Sequence, residues 1–202
     1  MTRVAFEGDL ICWDFGDTLV DQNFMRVAPP DVPEWTTAYE RVRARTDQGD
    51  RWDVADSTMR ELAVLVADEI GISRARAWRQ LAHNLTTIDW YPEVRELVER
   101  LDGQVLQAIV TVNPHEFWAM AVACGMHEMF DCIVTSADVD SLSKVVMVEE
   151  ARSMLGLPPG LDTTLLVDNM AHNIDEFEAA GGQGWLFERA TFAARSQELL
   201  AQ

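Results

Sequence analysis

Leu10-Ile11-Cys12-Trp13-Asp14-Phe15-Gly16-Asp17-Thr18-Leu19-Val20-Asp21 sets four apolar residues directly before a carboxylate and a glycine-containing loop. An unbroken apolar run of that length suits a strand buried on both faces, as in a parallel sheet. A turn at Gly16 leaves Asp14 at the strand's carboxyl end, the edge where open α/β sheets bind ligands. Such an aspartate has two readings. Either it fixes the turn that follows, or it acts as a nucleophile or metal ligand.

Outward from this strand the chain divides in two. Residues 21–89 read as helical, with Met59, Leu62, Ala63, Val66, Ala67 and Ile70 at helical spacing and Gly71 as a stop. Trp35–Val42 and Ala75–Ala82 predict further helices, and Ala28–Pro33 a turn. From Tyr91-Pro92 onward, helices and strands alternate. Strands are expected at Val105–Thr111, Cys132–Thr135, Thr164–Asp168 and Gly184–Phe187, with helices at His115–Cys124, Lys144–Leu155, Ile174–Ala180 and after Thr191. Single helices between strands imply right-handed crossovers and a doubly wound parallel sheet. The expected architecture is a Rossmann-like α/β core from residues 1–20 and 90–202, with a helical subdomain, 21–89, inserted after the first strand.

Composition narrows the function. The 202 residues are 48% hydrophobic, enough for a buried core plus an insert, and carry a net charge of −18. That charge argues against nucleic acid or an anionic membrane as partner, since a phosphate polymer requires clustered Lys and Arg. A small anionic substrate would need a local cation or backbone amides. No run approaches the ~18 apolar residues of a membrane span, and Met1–Glu7 lacks a signal-peptide core, so a cytoplasmic monomer or homodimer is expected. Cys12, Cys124 and Cys132 form no C-x-x-C pair and sit among apolar neighbours, which points to buried free thiols.

Three more polar residues fall where the sheet's carboxyl edge should be: Thr111 after an apolar strand, Lys144 at a helix start, and Asp168 after Leu165-Leu166-Val167. Singly they read as a cap, a surface charge and a turn residue. With Asp14 and Thr18, in this order, the chain resembles the haloacid dehalogenase-like hydrolases. Their signature is a strand ending in Asp-x-Asp-x-Thr, a later strand ending in Ser or Thr, a Lys, and a strand ending in acids. Asp89–Val94 resembles the return from cap to core, Phe130–Ser136 the third strand, and Val167–Ile174 with Ala179-Ala180-Gly181 the fourth motif. The insert falls where the family places its helical cap.

The resemblance implies a Mg²⁺-dependent phosphatase-type hydrolase of a small phosphorylated metabolite. Asp14 would attack phosphorus to give an aspartyl-phosphate, with Thr111 and the loop amides near Phe15 and Gly16 binding phosphate oxygens and Lys144 adding positive charge. Mg²⁺ would be held by Asp14, the Gly16 carbonyl and Asp168. Departures accompany the matches. Gly16 stands where the family's acid/base aspartate belongs, Asp17 being its nearest possible substitute, and Val112 follows Thr111 where Asn is common. Asn169 replaces a second acid and would reach the metal only as an outer-shell group. A dehalogenase would be expected to carry Tyr at position 16, and a sugar-phosphate mutase Asp. Phe24, Met25, Arg26 and Trp35 are candidate entrance residues, with Arg26 able to read a substrate anion. The competing expectation is a catalytically impaired relative that binds a ligand or partner, for which Gly16 and Asn169 are the evidence.

Overall fold

The computed structural model describes residues 6–21, 27–45 and 59–200. The apolar runs form one five-stranded parallel sheet: β1 Leu10–Trp13, β2 Leu106–Thr111, β3 Cys132–Thr135, β4 Thr164–Asp168 and β5 Gln183–Leu186. The order β3-β2-β1-β4-β5 starts the chain in the middle, runs it to one edge, and returns it to the other side of β1. Such a reversal opens a crevice at the carboxyl ends of the central strands. Trp13 pairs in register with both Ile109 and Val167, so the three central strands reach that edge together.

Period-two alternation sorts each strand's side chains to opposite faces, and both faces are covered. On one side Ile11, Trp13, Ile109, Ile133, Val167 and Trp185 pack in a cluster with residues of helices α4 (Pro92–Leu101), α5 (Glu116–Ala123) and α9 (Phe192–Leu200). On the other, Leu10, Cys12, Ala108, Val110, Val134 and Leu166 meet residues of α7 (Lys144–Met154) and α8 (Ala171–Ala179). Each large aliphatic side chain so buried contributes about 1.5–3 kcal/mol.

Between β1 and α4, helices α1 (Trp35–Arg45), α2 (Met59–Ile70) and α3 (Arg74–Thr86) gather around a cluster of their own that includes Trp35, Tyr39, Val66 and Leu81. Half-buried Leu85 touches this cluster and the larger sheet cluster. Where the chain leaves and rejoins the sheet, Val20 and Trp90 form an antiparallel bridge, and the Tyr91 amide donates to the Leu19 carbonyl at 3.0 Å.

Three local features depart from expectation. Helix α8 begins at Ala171 rather than Ile174, because the Asp168 carboxylate accepts the Met170 amide at 2.8 Å and starts the turn early. A short helix α6, Ser136–Val139, follows β3 directly. The Thr135 hydroxyl takes the Asp138 amide while the Asp138 carboxylate takes the Thr135 amide, a reciprocal cap that needs only those two side chains. The cysteines are free, but only Cys12 and Cys132 are buried, Cys124 being half-buried. Burial, with Asp131 and Glu150 adding, pushes the Cys132 thiol up to about 12, which leaves it unreactive. Among the described residues no helix is long and apolar enough to cross a membrane.

Candidate active site

Strand β1 delivers Asp14 to the carboxyl edge, where its amide donates to the Val167 carbonyl at 2.9 Å and locks it beside β4. The loop beyond closes on one acceptor: the Phe15 carbonyl takes the amides of Thr18, Leu19 and Val20 at 3.4, 2.9 and 3.3 Å. The backbone reverses at Asp17, which adopts the left-handed conformation at φ 58°. The segment is therefore not extended at this point, and Asp17 is swung out of a simple alternation with its neighbours. Its charge, with that of Asp21, helps burial raise the Tyr91 phenol above its ordinary value. Phe15 turns its ring into the core against Phe117, edge-to-face at 4.7 Å, and its backbone amide bonds to the Asp14 carboxylate.

Lys144 opens α7 and is 1% exposed, an unusual burial for an ammonium group. Its Nζ donates to Asp14 Oδ1 at 2.5 Å and the Val110 carbonyl at 2.7 Å, and lies 3.2 Å from Asp168 Oδ2. An ammonium has three protons, and three acceptors surround this one. Lys144 thus pins the ends of β1, β2 and β4 together and neutralises one of two facing carboxylates. Burial works to lower its pKa, but Asp14 and Asp168 hold it above lysine's ordinary value. Asp14 in turn is raised by burial and by Asp168 against the opposing pull of Lys144.

Asp168, fully buried, accepts from Asn173 Nδ2 on both oxygens, at 3.0 and 2.9 Å. Asp14 keeps 13% of its side chain open, and its Oδ2 has a long 3.5 Å contact with the Thr18 hydroxyl. Thr111 ends β2 with a buried hydroxyl that accepts from Asn113 Nδ2 at 2.8 Å. Asn169 lies half-buried beside Asp168. Phe24, Met25 and Arg26 fall outside the described residues, and Trp35 is a core residue of the helical cluster. The sequence reading did not single out Asn113 or Asn173. A signal for Asn173 was its place one helical turn into α8, where a side chain can reach back to the strand end.

Removing the buried cation is expected to be severe. Lys144→Met leaves Asp14 and Asp168 facing each other uncompensated, so urea unfolding at pH 7 should show a loss of about 3–5 kcal/mol. The deficit should shrink as pH falls and Asp14, whose pKa burial raises, takes up its proton. A variant as stable as the unaltered protein would mean the two carboxylates tolerate each other without the lysine.

The oxygen donors Asp14, Asp168 and the Gly16 carbonyl suit a hard cation. Among the described residues no three His, Cys, Asp or Glu side chains cluster tightly enough to form a complete cage. Two carboxylates with the remaining positions left to water and substrate is the pattern Mg²⁺ favours, so the donor types fit that ion, and Asp168 would give up part of its bonding to Asn173 to reach it.

No family model matches the sequence, and no curated protein matches it. Solved structures do. An L-2-haloacid dehalogenase from Xanthobacter autotrophicus with chloropropionic acid covalently bound superposes with a TM-score of 0.65 at 15% identity, over 96% of this chain and 82% of that one. A predicted HAD-like family hydrolase from Porphyromonas gingivalis gives 0.64 at 14% identity, over 96% and 98%. This is the haloacid dehalogenase-like fold. A third protein of that fold, a HAD family enzyme from Bacteroides thetaiotaomicron in complex with magnesium and inorganic phosphate, gives 0.62 at 10% identity, over 89% and 94%. The haloacid dehalogenase-like fold thus spans nearly the whole chain, including helices of the 21–89 stretch.

Proposed function

We propose that this chain is a hydrolase that transfers the phosphoryl group of a small phosphorylated metabolite to Asp14 and then to water. The observation that carries the reading is the position of Asp14: a carboxylate at the sheet's carboxyl edge, held by Lys144 and the Phe15 amide, with part of its side chain still open. In the first step a carboxylate oxygen forms a bond to phosphorus while the bond to the leaving oxygen breaks, giving an aspartyl-phosphate. In the second, water attacks phosphorus, inorganic phosphate departs and the carboxylate is restored.

Lys144 holds Asp14 in line and offsets its charge, which favours approach to an anionic phosphoryl group. Thr111 offers a hydroxyl to a phosphoryl oxygen, and Asn173 keeps Asp168 oriented. Mg²⁺, held by Asp14, the Gly16 carbonyl and Asp168, would supply charge neutralisation at the phosphoryl oxygens. Asn169 contributes no charge there, so we place it outside the inner set of ligands. The helices of the 21–89 stretch serve as a cap that limits water over the site and selects substrate. An acidic surface and a site with a single lysine favour a small substrate over a polyanion.

The competing reading is a binding protein with the same fold. Gly16, which gives the site no acid at the position where the resemblance expects one, is its support. Hydrolysis of an aryl phosphate decides between them, because an aryl leaving group departs without protonation. We expect turnover with millimolar Mg²⁺ and its loss on chelation, reversed by adding the metal back. Absence of phosphate release from the folded protein across aryl and acyl phosphates would favour the binding reading.

A further inference from the structure

Thr111 presents an asymmetry. The residue is 1% exposed, and its hydroxyl oxygen accepts from Asn113 Nδ2 at 2.8 Å. A hydroxyl carries one proton and two lone pairs. With a lone pair taken, the proton remains to be given, and among the described residues no hydrogen bond takes it. A buried donor left without an acceptor is unfavourable unless something arrives to accept.

Asn113 is itself held firmly. Its amide N–H donates to Ser136 Oγ at 3.0 Å, and the Ser136 hydroxyl donates back to the Asn113 carbonyl at 3.2 Å. Both main-chain groups of Asn113 are thus tied to the start of α6, across the carboxyl ends of β2 and β3. Val112, between the two polar residues, packs against the apolar cluster on one face of the sheet. The side-chain amide of Asn113 is then set against Thr111 rather than against solvent. An amide N–H in that place forbids Thr111 from directing its proton toward Asn113.

We propose that Asn113 is a positioning residue that fixes Thr111 as a proton donor toward an oxygen of the bound phosphoryl group. The role rests on the hydrolase reading above. Asn113 touches no reacting atom and acts only through the threonine, so its effect must vanish when the hydroxyl is absent.

A double-mutant cycle tests this, with Thr111→Val, Asn113→Asp and the pair compared by kcat and KM on an aryl phosphate and by the Kd of inorganic phosphate. Asn113→Asp keeps the shape but offers an acceptor, so the Thr111 proton turns away from the ligand. Loss of one oriented donor is expected to reduce kcat/KM about 10²-fold in either single variant. The pair should lose no more than either alone. Asn113→Ala, which frees the hydroxyl to rotate, should lose less than Asn113→Asp, whereas a merely structural asparagine would make Ala at least as harmful. Thermal unfolding shows that each variant is folded, and Asn113→Ser, which can restore a donor, serves as the rescue. Losses that multiply to about 10⁴-fold in the pair, or an Asn113→Asp variant with normal kinetics, would overturn the role while leaving the hydrolase reading intact. An unaltered protein that neither binds phosphate nor hydrolyses the ester would overturn both.

Discussion

Asp14→Asn is expected to eliminate turnover of an aryl phosphate while the protein stays folded. The loss should be about 10⁵-fold or more, the scale set by removal of a nucleophile acting within an assembled group. An amide oxygen cannot attack phosphorus as a carboxylate does, yet it fills the same space and can still accept from Lys144. On the hydrolase reading, the pH profile of the unaltered protein should point to the same residue. Burial first, and then Asp168, hold the Asp14 carboxyl above its ordinary value against Lys144. Attack requires the ionised form, so kcat/KM should fall at low pH; the raised value belongs to the metal-free protein, and Mg²⁺ bound beside Asp14 would move the acid limb down from it. Lys144 is held above lysine's ordinary value and stays charged, so it adds no alkaline limb near neutrality. The sign for stability follows. A raised carboxyl pKa means that the folded state binds the proton more tightly than the unfolded chain, so ionised Asp14 subtracts from stability above its folded pKa. Asp14→Asn should therefore melt at a higher temperature at pH 7. Inactivity with a lowered melting point would point to damaged folding rather than a lost nucleophile.

Gly16→Asp is expected to raise the rate on alkyl phosphates by about 10²- to 10⁴-fold, the usual worth of a positioned acid or base. The same change should do little for an aryl phosphate, whose leaving group departs without a proton. That contrast separates acid catalysis from a general improvement of the site. In the unaltered chain Asp17 is the nearest carboxylate in sequence to position 16, on a backbone that reverses there. Equal gains on both esters would mean that the new carboxylate acts on the shared second step, by activating water, or through metal binding. No gain on either would mean that protonation does not limit turnover.

The sheet was legible in the sequence because burial on both faces leaves an unmistakable mark. Leu10–Trp13, Cys132–Thr135 and Thr164–Asp168 are short apolar runs, and the structure starts and ends those strands where the runs do. Asp14, Thr111, Lys144 and Asp168 were legible because each closes a strand or opens a helix at one edge, and the sheet gathers those ends. The supporting shell was not. Asn113 and Ser136 meet only because β2 and β3 are neighbours, and no periodicity within either segment encodes that pairing. The reversal at Asp17 was hidden for a related reason. Gly16 is the residue that looks made for a turn, but the Phe15 carbonyl gathers the amides of Thr18, Leu19 and Val20, and that closure places the left-handed residue one position later.

The bridge between Val20 and Trp90 brings the chain's exit from the sheet and its return together in a neck. Chain that leaves and returns at one point exerts no leverage on the pairing of β1 with β2, whatever lies between. Its length enters the folding free energy only logarithmically, at about 0.6 kcal/mol for each doubling. The chain beyond the neck can therefore change in length at little cost while Asp14 stays fixed against Lys144, provided that Leu85 keeps its seat between the two clusters. On the hydrolase reading, selectivity and chemistry can then diverge at different speeds on the same polypeptide.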